Sequence, residues 1–257
     1  MIELDHASKS FDGGVSFSVE DLSLVIEAGS FVALIGPSGS GKTTTCKFLN
    51  RLIDPDRGTI RIDGRTVTLT PPAELRRGIG YVFQGVGLFP HMRVAENIGV
   101  TPRLLGWPRA DIEARTKELL ELVGLPQAYA HRSPDALSGG ERQRVGVARA
   151  LAARPRIVLM DEPFGALDPL TRDDLGTAYR SLHDTLGLTT VMVTHDVQEA
   201  VLLADRIVVL RAGKVVADGS PHALMAGHPD PDVARLMSMP ARQAERVRRI
   251  TRENPHG

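Results

Sequence analysis

Lys42 and Thr43 stand behind a glycine-rich run, Gly36-Pro37-Ser38-Gly39-Ser40-Gly41, and Thr44 follows them. An ammonium beside a hydroxyl, both behind flexible backbone, suits a polyphosphate: the lysine reaches the terminal phosphates and the threonine ligates the accompanying Mg²⁺. Gly36, Gly39 and Gly41 permit backbone angles closed to other residues, so successive N–H groups can turn inward around phosphate oxygens. The spacing fits G-x-x-x-x-G-K-[ST], which makes residues 36–44 candidates for binding a nucleotide. A second chemistry-bearing pair, Asp161-Glu162, ends the apolar run Ile157–Met160. Neighbouring carboxylates there call for a cation; Asp161 fits a Mg²⁺ partner and Glu162 a base that orients water.

These groups need strands that end where they begin. Phe31–Ile35 is an unbroken apolar run leading into Gly36, and the helix that starts at the lysine adds the positive end of its dipole. Ile157–Met160 reads as a central parallel strand, and ligands of such sheets bind at the carboxyl edge. Thr190–Thr194 reads the same way and ends at His195. A histidine at a strand terminus is otherwise structural, but the shared edge puts it with Glu162. Ile79–Phe83 ends at Gln84, whose amide fits either a sensor of the γ-phosphate and metal or a plain polar loop. Leu137-Ser138-Gly139-Gly140-Glu141 opens a helix to about Ala153. Ser138 and Glu141 form a capping box, and the bare glycines offer a second anion site at a helix N-terminus.

The remaining chain is scaffold. Phe17, Val19, Leu22, Leu24 and Ile26 alternate as half-buried β-structure does. Asp12-Gly13-Gly14 is a turn signal, and Phe11 before it fits either ordinary packing or stacking on a base. Residues 58–70 and 207–217 read as hairpins, turning at Asp63-Gly64 and Ala212-Gly213. Residues 85–136 form a mostly helical insert with large apolar groups in its loops, notably Leu88, Phe89, Leu105 and Trp107. Ala166-Leu167-Asp168-Pro169 is a turn before a helical stripe of Leu175, Tyr179, Leu182 and Leu186. Beyond Pro240 an Arg- and Glu-rich tail reads as a solvated helix or disorder.

At 257 residues the chain is one large domain or one with subdomains. Lys plus Arg and Asp plus Glu both number 31, so no global charge points to nucleic acid. No apolar run approaches the ~18 residues of a membrane span. The start, with Glu3 and Asp5, lacks a signal-peptide pattern, and the single Cys46 suits the cytosol and reads as helix packing.

Taken together, GPSGSGKTT, Gln84, LSGGE, IVLMDE, Ala166-Leu167-Asp168 and His195 resemble, in order and spacing from about Phe11 to Gly219, the ATP-binding subunits of ABC transporters. The resemblance implies an α/β fold: a P-loop ABC-ATPase core with an N-terminal antiparallel β-subdomain and a helical subdomain. It implies an ATPase domain over residues 1–220, with the helical subdomain at about 85–153, and a short helical or flexible tail over 221–257. By the same resemblance Phe11 stacks on adenine, Gln84 senses Mg²⁺, Glu162 is the catalytic base, and His195 is the γ-phosphate switch. Thr43, Gln84 and Asp161 serve the metal. Ser138, Gly139, Gly140 and Glu141 meet the ATP held by a second copy, and Asp168 lies in the dimer loop. The family's glutamine is Glu141 here, a carboxylate expected to weaken closure on a γ-phosphate.

The stretch from Phe83 to Trp107 looks, more narrowly, like importers of glycine betaine, choline and related osmoprotectants. The implied assembly is a homodimer or a paired ATPase subunit, on membrane permeases at the cytoplasmic face of the inner membrane. An extracytoplasmic substrate-binding protein would act with it indirectly. The alternatives are an importer of another small solute such as an amino acid, or a soluble ABC protein working on nucleic acid. The latter would show a tandem ATPase, a coiled-coil insert or a basic stripe. About forty residues after Gly219 are too few for the paired regulatory CBS domains of some relatives.

Overall fold

The computed structural model describes residues 1–85 and 87–253. Val86, in the expected helical insert, and residues 254–257 of the expected tail lie outside the described residues. The strands, in chain order, are β1 (Ile2–Lys9), β2 (Val19–Ile26), β3 (Phe31–Ile35), β4 (Arg57–Ile62) and β5 (Arg65–Thr66), then β6 (Ile79–Val82), β7 (Ile157–Asp161), β8 (Thr189–Val193), β9 (Arg206–Arg211) and β10 (Lys214–Gly219). The helices are α1 (Lys42–Leu49), α2 (Pro72–Arg77), α3 (Val94–Ile98), α4 (Val100–Leu104), α5 (Arg109–Leu122) and α6 (Gly139–Leu151), then α7 (Pro169–Leu186), α8 (Val197–Leu203), α9 (Pro221–Ala226), α10 (Pro231–Met237) and α11 (Met239–Glu253).

The central sheet has the order β10-β9-β3-β8-β7-β6. All neighbours in it are parallel except β10, which closes the edge as a hairpin with β9. Strands β3, β7 and β8 are buried at every position, as parallel strands covered on both faces must be. Their alternation splits the interior in two. Phe31, Ala33 and Ile35 join a core with α3 and α5 to α8. Val32 and Leu34 join a second core around α1, which contributes Cys46, Phe48 and Leu49. An antiparallel sheet, β2-β1-β4-β5, closes that second core. The fold is therefore α/β, with a mostly parallel central sheet between helices, an N-terminal antiparallel sheet and a helical insert.

The expected hairpin over 58–70 is shorter than its pattern. β5 has two residues, and Val67–Leu69 coil into a 3₁₀ turn that buries Val67. At the C-terminal end, α9 and α10 dock through Leu224, Val233 and Met237 into the first core. The Arg- and Glu-rich tail is helical as α11, with residues 241–251 exposed.

This topology matters because four parallel strands end side by side. β3 delivers Gly36, β6 delivers Gln84 one residue beyond Phe83, β7 delivers Asp161 and Glu162, and β8 delivers Thr194 and His195.

Candidate functional site

The glycine-rich loop wraps its own lysine. Lys42 Nζ donates to the carbonyls of Gly36 and Pro37, both at 2.8 Å, and reaches Ser40 Oγ at 3.4 Å. Burial pushes this ammonium below the usual lysine range, with Glu162 and Asp161 opposing the shift. A buried cation held by two carbonyls and a hydroxyl is placed for an anion to approach. Gly36 has φ +144, and a Cβ there would lie 2.1 Å from the Leu210 carbonyl oxygen; at Gly41, with φ +99, it would lie 2.3 Å from that of Ser18. Close approach, as much as torsion, demands glycine at both. Pro37, Ser38 and Gly39 form the exposed outer turn.

Thr43 Oγ1 donates to Asp161 Oδ1 at 3.0 Å. Asp161 is almost fully buried, and burial pushes its carboxyl above the usual carboxylate range while the Thr43 hydrogen bond opposes this. A hydroxyl and a carboxylate in contact are hard oxygen donors suited to Mg²⁺. Among the described residues no trio of His, Cys, Asp or Glu could hold a metal alone. A Mg²⁺ there would be held through one carboxylate and completed by substrate phosphates and water.

Glu162 adopts φ +49, the left-handed region rarely populated by a glutamate. Its N–H donates to Val193 O at 2.9 Å, which ties the end of β7 to β8. The twist leaves its carboxylate between two expected partners: Gln84 Nε2 donates at 3.1 Å, and His195 Nδ1 lies at 3.5 Å. The structure thus brings together Lys42, Thr43, Asp161, Glu162, Gln84 and His195 at one sheet edge.

Phe11 is exposed, on a loop whose ends are fixed beside the start of α1. Ser18 donates its N–H to Lys9 O at 2.8 Å, and its hydroxyl bonds Thr44 Oγ1 at 2.9 Å. Thr44 therefore secures this loop, and Ser18 is a partner that no local pattern announced.

Ser138–Glu141 sits elsewhere. Among the described residues no hydrogen bond or ion pair joins it to 36–44. The capping box forms in both directions, Glu141 N–H to Ser138 Oγ at 3.2 Å and Ser138 N–H to Glu141 Oε2 at 2.7 Å. The Tyr129 hydroxyl donates to the other carboxylate oxygen at 2.9 Å, with the Arg132 guanidinium 3.6 Å from the Tyr129 ring centre. The Ser138 N–H, then the Tyr129 hydroxyl, hold the Glu141 carboxyl below its usual range. Within this chain the Glu141 carboxylate is turned back onto its own helix cap. Gly139 and Gly140, as the first helical residues, keep N–H groups without intrahelical acceptors.

Asp168 caps α7, accepting from Thr171 N–H at 3.0 Å, and hydrogen bonding from Thr171 holds its carboxyl below the usual range. Gln143, which sequence reasoning missed, donates to Pro163 O at 2.7 Å and joins α6 to the strand end carrying Glu162. Its signal was a polar residue four before Val147 on the buried face of α6, where an amide needs a partner.

Of the apolar groups expected in loops, Phe89 and Leu105 are exposed, whereas Leu88 packs on the core and Trp107 is half-buried. Phe83 and Leu104 are exposed instead. Beside Gln84, Phe83, Gly87, Phe89, Val100, Thr101 and Arg149 line a groove of about 420 Å³.

The ABC transporter family model matches residues 19–165. The chain is 48% identical to the choline transport ATP-binding protein of Bacillus subtilis, over 99% of this chain and 68% of that protein. It is 52% identical to the glycine betaine/carnitine/choline transport ATP-binding protein of the same organism, over 88% and 59%. The chain thus spans about two thirds or less of these relatives. A dimeric ATP-binding cassette solved in a post-hydrolysis state with ADP and Pi superposes with a TM-score of 0.79 at 34% identity, covering 86% of this chain and 98% of that one.

Proposed function

This chain belongs to the ABC transporter family and is an ATPase of its ATP-binding type; from that premise we propose that it is the ATP-hydrolysing subunit of an importer for a quaternary amine such as glycine betaine, carnitine or choline. The observation that carries the hydrolytic part is Glu162, held at φ +49 between Gln84 and His195 on the edge that also carries Lys42, Thr43 and Asp161. In this reading residues 36–44 cradle ATP, Lys42 swings from its loop carbonyls to the phosphates, and Phe11 stacks on adenine. Thr43, Asp161 and Gln84 hold Mg²⁺, which when bound neutralises charge on the phosphates. Glu162 orients the attacking water, and His195 approaches the γ-phosphate.

Ser138, Gly139 and Gly140 serve the ATP of a second copy, their donors offsetting charge that develops in the transition state. Glu141 acts through the cap, and Asp168 belongs to the loop between copies. Residues 1–220 form the ATPase domain, with a helical subdomain at about 85–153 and a tail at 221–257. The groove beside Gln84, with exposed Phe83 and Phe89, supports docking of membrane permeases from the cytoplasmic side. No helix among the described residues is long and apolar enough to cross a membrane. Cargo selection would lie in a binding protein and permease, where aromatic rings cage a quaternary ammonium.

The cargo rests on the named relatives. Cells lacking this chain should lose uptake of labelled glycine betaine or choline at high osmolarity. Normal uptake of both, with loss of an unrelated solute, would overturn the cargo and leave the ATPase standing.

A further inference from the structure

One guanidinium grips both loops that flank the hydrolytic edge. Arg172, one turn into α7, donates through Nη2 to the Leu167 carbonyl at 3.3 Å and through Nη1 to Asp196 Oδ2 at 3.3 Å. Leu167 precedes Asp168, and Asp196 follows His195. The buried Arg172 Nε makes no hydrogen bond but is ion-paired with Glu199 Oε1 at 3.6 Å. Glu199 is buried and fixes the other side of the same loop, accepting from the Thr194 hydroxyl through Oε2 at 2.6 Å. Asp196 N–H in turn donates to that hydroxyl at 3.0 Å, and Asp196 Oδ1 caps α8. Leu167 also rests on the start of α6: a Cβ at Gly140 would meet Leu167 Cδ2 at 3.3 Å.

We propose that Arg172 is a positioning residue, coupling the Asp168 loop to the loop that carries His195. A planar fork suits this task, since it meets separate acceptors in fixed directions where an ammonium cannot. Movement of the Asp168 loop on closure of two copies is passed to His195 through Arg172 and Asp196. The ion pair from Arg172 Nε to Glu199 adds a third point to the grip on the loop that carries His195. Arg172 touches neither phosphate nor water and acts only through these loops.

The inference rests on the ATPase reading, so its test begins with hydrolysis by the unaltered full-length chain. Absence of that activity would fail the reading itself. With it present, Arg172→Ala should lower kcat by roughly ten- to a hundredfold, the range a charge-assisted contact supplies. KM and ATP affinity by titration should move less than about threefold, because the residues cradling ATP are untouched. Arg172→Lys, keeping the charge and losing the fork, should fall between. The side chain borders an open cleft of about 630 Å³, so truncation widens a cleft and leaves no sealed void. Should Arg172→Ala still fail to fold, Arg172→Lys and Arg172→Gln carry the same criterion. Unchanged kcat in the folded variants would overturn the proposal. So would kcat and ATP affinity falling together with the thermal midpoint and all returning in Arg172→Lys, the mark of a merely structural charge.

Discussion

Gly36→Ala should damage the phosphate loop for a reason that can be read off distances. The new methyl would sit 2.1 Å from the Leu210 carbonyl oxygen and 3.1 Å from its carbon. Both are backbone of β9, paired to β10 at Val215 and so unable to rotate away. Overpacking of this kind costs about 1–3 kcal/mol, and a non-glycine at φ +144 adds about 1–3 kcal/mol of backbone strain. Together these give about 2–6 kcal/mol, or a fall of roughly 10 °C in thermal midpoint for a chain of this size. Gly39→Ala is the control. Its φ is +76 but nothing lies within 4 Å of the added methyl, so only strain of about 1–2 kcal/mol remains, a few degrees. Scanning calorimetry of both variants, followed by ATP titration, separates contact from torsion. Equal shifts for the two, or a wild-type midpoint for Gly36→Ala, would refute the steric argument.

Glu162→Gln should bind ATP and Mg²⁺ yet lose turnover by about 10²–10⁴-fold, the worth of a positioned base; sizing chromatography with ATP should then show a trapped dimer, and near-normal hydrolysis would sink the assignment. Lys42→Ala should weaken ATP binding ten- to a hundredfold, about 1.5–3 kcal/mol for a charge-assisted contact to phosphate, so unchanged affinity by titration would contradict the loop's role. Glu141→Gln, which restores the residue common in the family, should leave ATPase within about twofold, well under the ~1.4 kcal/mol that makes a tenfold change. The carboxylate is already engaged by Ser138 and Tyr129. A large gain in rate would mean that it opposes the phosphate after all.

Local signals carried most of the fold. The apolar runs 31–35 and 157–160 are buried central strands, as strands covered on both faces are, and the β-branched and apolar run 190–194 forms most of a third, whose threonines are buried. The capping box at Ser138 was readable because both partners lie within one turn. What escaped depends on tertiary neighbours. Tyr129, Gln143 and Arg172 look like ordinary helix or loop residues until another segment supplies an acceptor 12, 20 or 24 positions away. The left-handed backbone of Glu162 is likewise invisible in its flanking residues, since the β8 carbonyl at Val193 holds it. The loop setting of Trp107 left its burial open; it is half-buried, with the Arg154 guanidinium 5.8 Å from its ring centre.

The shared ATP site is tested most directly by mixing two inactive variants. Lys42→Ala spoils the phosphate loop of its own chain, and Ser138→Arg spoils the helix start offered to the partner's nucleotide. Each alone should be inactive, although Ser138→Arg should still bind ATP as a monomer. A mixed dimer has one site carrying both defects and one carrying neither. Hydrolysis in an equal mixture should recover to about a quarter of the wild-type rate, from one competent site in half of the randomly paired dimers. No recovery in dimers that demonstrably form, or full activity of Ser138→Arg by itself, would contradict a site built from two copies.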